Sequence, residues 1–194
     1  RFNNVLQVSA ATPVIAHSAT EGADFLFPLL VATPAPIARS RTRARLVHDL
    51  GQLYERTASL ETGGSLLRAP RAHIGRQRGR FDFAVVDGSV DQLSHAFAFD
   101  VRDTDALERE LQSWNFIVSR LRNAGGVITQ GGRSLDAAGD VAVAVAFQEP
   151  TRREPRVADV FEAALEAWSG LGVSAVPSTE LDVIARDALH LVGA

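Results

Sequence analysis

From residue 104 onward, apolar side chains return every third or fourth position. Leu107, Leu111, Trp114, Val118 and Leu121 make one helical stripe over 104–123, with Asp103 or Thr104 as its cap and Gly125-Gly126 as its stop. The same spacing in Leu46, Val47, Leu50, Leu53 and Tyr54 predicts a helix over about 37–60. Pro34 and Pro36 precede it and Gly63-Gly64 follow it. Val157, Phe161, Leu165 and Trp168 mark a third helix over 157–169, and residues 179–192 a fourth.

Period two marks the strands. Residues 66–74 and 80–86 read as strands, and the second runs into Asp87-Gly88, a hairpin signal in which both positions favour positive φ. Over 92–99, Leu93, His95, Phe97 and Phe99 share one face, with Ser94, Ala96 and Ala98 on the other. Residues 141–147 alternate Val with Ala and are apolar on both faces, as a central strand covered on both sides would be. A short strand is expected at 173–176, and the stretch between 126 and 140 reads as a polar, Gly-rich loop. Within 1–36, the alternation at Val5–Ala10 and the apolar run Phe25–Ala32 predict one or two strands.

These elements predict an α/β (α+β) fold, a mixed β-sheet flanked by helices, in one domain over 1–194. Residues 1–36 are a β extension, 37–147 the core and 148–194 an αβα completion. The apolar run at 25–32 falls well short of the roughly 20 residues a membrane helix needs, and no signal-peptide pattern is present. A cytoplasmic protein without membrane contact is expected.

Charge sharpens the picture. All 20 basic residues are Arg, because the chain contains no Lys, and Cys is also absent. Schiff-base, Walker-lysine and thiolate chemistries are therefore excluded. The net charge of −3 is unevenly spread. Residues 39–80 hold ten Arg against Asp49, Glu55 and Glu61, whereas residues 81–194 hold nine Arg against eighteen acids. One part of the fold should be positive and another negative.

Motifs that carry chemistry are sparse. The Gly126–Ser134 stretch has Gly132 where a phosphate loop needs Lys, and the wrong flanking elements. His17, His48, His73, His95 and His190 show no metal-ligand spacing. Asp82, placed between Phe81 and Phe83 in a strand, is more informative: a carboxylate there needs solvent, a partner or a metal.

The order helix, three strands, helix, strand over 37–147 resembles the αβββαβ core of the restriction-endonuclease-like, or PD-(D/E)XK, superfamily. That resemblance implies an acid near the start of the second core strand and an acid-x-Lys pair on the third, together binding Mg²⁺ and activating water. A carboxylate of the first helix sometimes assists. Asp82 matches the first acid and Glu55 the helix carboxylate. Folding at Asp87-Gly88 sets residue 82 opposite roughly residue 96, so the acid-x-Lys pair falls on Ser94 and Ala96. Neither is a carboxylate and no Lys exists, so the usual catalysis is expected to be lost.

The expectation is therefore a non-catalytic nucleic-acid-binding or regulatory protein on a degenerate nuclease-like scaffold, from a phage, mobile-element or defence setting. Duplex DNA is the expected partner. Arg39, Arg41, Arg43, Arg45, Arg76, Arg78 and Arg80 would hold its phosphates, with no cofactor. One alternative is a metal-dependent nuclease using Asp82, Glu55 and either Gln92 or His95 with Mg²⁺. Another is a protein-interaction module, in which the chain forms a homodimer.

Overall fold

The computed structural model describes Ser18 and residues 43–57, 64–151 and 154–192. The chain divides into two units, Arg1–Arg39 and Ser40–Ala194, and the elements below belong to the second. The strands expected within 1–36, like Arg39 and Arg41, lie outside the described residues.

In chain order the elements are α1 (Arg43–Thr57), β1 (Leu66–Arg68), β2 (Arg71–Ile74), β3 (Gln77–Arg80), β4 (Phe83–Asp87), β5 (Ser89–Ala98) and α2 (Thr104–Ala124). β6 (Gly126–Gln130), β7 (Arg133–Ala137), β8 (Ala142–Gln148), α3 (Pro155–Gly170), β9 (Ser174–Pro177) and α4 (Leu181–Val192) follow. Among the described residues the fold is thus mixed α/β, with two sheets and four helices. None of these helices is long and apolar enough to cross a membrane.

The larger sheet has the order β1-β4-β5-β8-β9. Its first three strands are antiparallel neighbours, and β5, β8 and β9 run parallel. Parallel neighbours need crossovers: α2 and the β6–β7 segment connect β5 to β8, and α3 connects β8 to β9. The Val–Ala alternation of β8 decides what covers each face. Val143, Val145 and Phe147 join the core shared with α2 and α3, whereas Ala144 and Ala146 lie under α1 and α4. Small side chains on that second face let two helices sit close to the backbone. On the first face, Phe97, Phe99, Phe147, Phe161 and Trp168 pack edge to face, stacked or tilted.

The smaller sheet has the order β3-β2-β6-β7 and lays its inner face, Ala72, Ile74, Ile128 and Ala137, into the α2 core. Its presence corrects the reading of 126–140 as a loop. Polar composition hides this hairpin because alternate residues of β6 and β7 stand at least partly in solvent. Gly131 and Gly132, with φ of 56° and 83°, turn the chain between the paired Gln130 and Arg133.

A second correction concerns the expected strands 66–74 and 80–86. They form one antiparallel ribbon in constant register, from Leu66 opposite Val85 to Arg71 opposite Arg80. The ribbon is broken midway, where Ala69 (φ 52°) and Pro70 stand opposite Phe81 and Asp82. Its outer end, β2 with β3, joins the small sheet, and its inner end, β1 with β4, joins the large one. At Asp87-Gly88 the predicted hairpin forms, although only Gly88 adopts positive φ (78°).

Candidate functional site

Asp82 stands where the ribbon passes from one sheet to the other. Its amide donates to the Ser94 carbonyl (2.9 Å) and its carbonyl accepts from the Ala69 amide (2.7 Å). The carboxylate accepts from the Ala96 amide (2.8 Å) and, through both oxygens, from Arg43 Nη2 (2.9 Å each). Arg43, at the start of α1, also donates from Nε to the Ala96 carbonyl (2.9 Å). An acid in this strand therefore has an internal counter-ion and a backbone donor, which is one of the requirements its burial imposed.

His95 completes the cluster. Its Nε2 lies 3.2 Å from Arg43 Nη2, a donor only, so Nε2 accepts and Nδ1 carries the proton. Nδ1 is 3.2 Å from Asp82 Oδ2 yet out of line with it, leaving that buried nitrogen without a well-directed hydrogen bond. The ring lies boxed among Phe81, Phe97 and Trp114, nearly parallel to the indole. Burial is the largest influence on its pKa and lowers it to about 4. Asp82 pulls the other way, and Arg43 and Arg80 reinforce the drop. At neutral pH the imidazole is uncharged.

The hairpin register differs by one from the expected pairing: Phe83 lies opposite Ser94, so Asp82 is level with His95 instead of Ala96. The pairing next to the turn would have set it level with Ser94, and a bulge between Val85 and Val86 shifts it by one. Ser94 and Ala96 both point to the α1 side, where Tyr54 Oη lies 3.0 Å from Ser94 Oγ and donates to Gln92 Oε1 at 2.7 Å. Gln92 Nε2 donates onward to the Ile184 carbonyl of α4 (3.3 Å). Burial pushes the Tyr54 hydroxyl well above its ordinary ionisation range.

Glu55 is not brought to Asp82. It pairs with Arg68 at 2.7 Å, and twelve helical positions separate it from Arg43, or about 18 Å along the axis. Among the described residues no three His, Asp or Glu side chains converge as metal ligands would.

The Arg residues sort themselves differently from their order in sequence. Arg43 is committed to Asp82, while Arg45 is exposed on α1. Arg78 and Arg80 emerge from β3 on the face opposite Gly79, which abuts Ile117 of α2. Directly across on β2, Arg71 pairs with Arg80 and His73 with Arg78, and Arg76 occupies the turn between the strands. Arg71, Arg76, Arg78 and Arg80 are all exposed, and none has an ion-pair partner among the described residues. Like charges directly opposite each other, as Arg71 and Arg80 are, destabilise a strand pair, so this pairing works against folding.

The chain matches no protein-family model, no curated protein and no solved structure. The geometry alone therefore carries the functional reading. Arg71 is the residue that sequence spacing did not add to the site. Only the register of the ribbon brings it opposite Arg80.

Proposed function

We propose that this chain is a non-catalytic nucleic-acid-binding or regulatory protein whose scaffold is of the restriction-endonuclease-like kind. Supporting the scaffold, removal of the two hairpin insertions leaves α1, the meander β1-β4-β5, α2 and a parallel β8. Asp82 then falls just before the second core strand. The Arg43 guanidinium occupies that acid, and the Tyr54–Gln92–Ser94 network fills the neighbouring positions of the third strand. Both features favour a binding role over the Mg²⁺-dependent nuclease alternative.

One observation carries the binding reading: Arg71, Arg76, Arg78 and Arg80 stand together on one exposed hairpin without counter-ions among the described residues. Their mutual repulsion is offset when phosphates bridge them. The exposed face of the sheet continues across Thr129 and Val127 to Ser134 and Asp136, and among the described residues it offers no Phe, Tyr or Trp ring for base stacking. Backbone contact with a duplex fits it better than capture of single-stranded bases.

Fluorescence anisotropy with a labelled DNA duplex tests this directly. Four phosphate contacts give a log–log salt slope of about −3.6, or about 150-fold weaker binding at 200 mM than at 50 mM salt. Arg78→Gln should flatten the slope by about 0.9. Absence of binding, or affinity indifferent to salt, overturns the proposal.

A further inference from the structure

The strand pair that carries the Arg residues loses a neighbour at Asp82. Over Phe83–Asp87, β4 has β5 beside it, and the Asp82 amide still donates to the Ser94 carbonyl (2.9 Å). There the strands part. β5 continues beside β8, while β3 ends the small sheet, with β2 on one side and no described strand on the other. The two-residue turn Gly75-Arg76 makes Ile74 and Gln77 a hydrogen-bonded pair, and bonded pairs alternate along an antiparallel ladder. The Phe81 amide keeps that alternation by donating to the Pro70 carbonyl (3.2 Å). Gln77 and Gly79 therefore bond to β2, and the backbone N–H and C=O groups of Arg78 and Arg80 point out from the free edge.

Such an edge is a template for a further strand. α2 forms a wall beside it. The cleft between them is lined by Arg78, Gly79 and Arg80 of β3 and by Ser113 and Ile117 of α2. His95 of β5 lines it too, so the cleft lies on the side of β3 that β5 has left. Its volume of about 210 Å³ is below the roughly 300 Å³ at which small-molecule sites begin, and it suits one side chain of a passing segment. Phe116 shares the Ser113 flank of α2 and, at 52%, is the most exposed large apolar residue among those described.

Charge and pleat narrow the segment. The side chains of Arg78 and Arg80 stand on the sheet face away from α2, exposed and without ion-pair partners among the described residues. Residues of an added strand that share this face are favoured as Asp or Glu. The alternate residues turn to α2, where Ile117 and Phe116 favour apolar groups and Glu110 disfavours acids.

We propose that the free edge of β3 receives an extended segment of a partner protein in which acidic and apolar residues alternate. It adds as a strand: main-chain hydrogen bonds to Arg78 and Arg80 supply affinity, and the alternation supplies selectivity. This inference goes beyond the nucleic-acid reading and does not depend on it.

Anisotropy with labelled, end-capped eight-residue peptides tests it without nucleic acid. A peptide alternating Glu with Val should bind saturably, and one alternating Lys with Val at least about tenfold more weakly. Two further Glu-Val peptides are N-methylated, one at every Glu nitrogen and the other at every Val nitrogen. Successive N–H groups of a strand point to opposite edges, so only one of the two loses the bonds to β3. That one should bind at least about tenfold more weakly than the parent and the other within about twofold. Phe116→Ser, an exposed change checked for an unchanged melting temperature, should weaken the parent peptide at least about threefold.

If the two methylated peptides behave alike, whether both bind or both fail, strand addition is wrong. Equal binding of the Lys peptide overturns the acidic partner, and an unchanged affinity in Phe116→Ser removes α2 from the site. If no peptide binds, the short, Arg-bearing edge is a guard against pairing and the proposal falls. None of these results bears on the duplex titration.

Discussion

Replacing His95 by Phe keeps an aromatic ring in the box of Phe81, Phe97 and Trp114 and removes the imidazole buried there. In the unfolded chain that imidazole ionises near its ordinary pKa of 6.5, whereas in the fold, burial lowers it to about 4. The folded state thus holds the neutral form, and the unfolded state takes up the proton first as pH falls. The contribution is complete above pH 6.5 and is lost progressively down to about pH 4. At 1.36 kcal/mol per pKa unit, the shift amounts to about 3 kcal/mol. Asp82, Arg43 and Arg80 are the charged groups acting on the ring, and Glu110 lines a pocket together with it. Only Asp82 raises its pKa. Urea unfolding of wild type and His95→Phe at steps from pH 7.5 to pH 4 measures the difference directly. Other titrating groups are common to both proteins and largely cancel. Wild type should lose about 3 kcal/mol more than the variant across that interval. Parallel stability curves would refute the claim that a buried neutral imidazole sets the acid limit.

Three further outcomes follow from the packing. Tyr54→Phe leaves Gln92 Oε1 and Ser94 Oγ without the hydroxyl between them and should cost about 1–2 kcal/mol in a thermal or urea melt. An unchanged melt would mean that the three residues are not coupled. Gly79→Ala sets a Cβ 2.7 Å from Ile117 Cγ2 and should destabilise by about 1–3 kcal/mol. Ile117→Ala opens that space, so the double variant should lose less than the two single losses combined, and strict additivity would contradict the close approach. Asp82→Asn strips Arg43 of its counter-ion and should cost about 1–2 kcal/mol, the pair being only partly buried. Adding Arg43→Gln to that variant should cost little more, and a second loss of full size would show that the two side chains act independently.

Much of the architecture was legible because it depends on local periodicity. The stripe from Leu107 to Leu121 predicted α2 to within a residue, and Asp103 caps it through a bond to the Ala106 amide (2.9 Å). The Val–Ala run predicted a strand covered on both faces, and β8 is one. Asp82 stood out because an acid between two Phe in a strand is costly unless something answers it. Its partners were not legible, because Arg43 lies 39 positions away and arrives only when α1 docks.

The sequence by itself determined most of the helices and strands, that residues 39–80 are rich in Arg, and that lysine chemistry is absent. These properties follow from residue type and from spacing along a single element. Tertiary structure decided the rest. It broke one apparent ribbon between two sheets at Ala69-Pro70, moved the hairpin register by one residue through the Val85/Val86 bulge, and turned a polar loop into β6 and β7. It also separated the Arg residues into one that neutralises Asp82 and four that face solvent together. A bulge or kink changes the pairing of every residue beyond it while barely altering local composition, so charge partners and pockets exist only once the strands have chosen their neighbours.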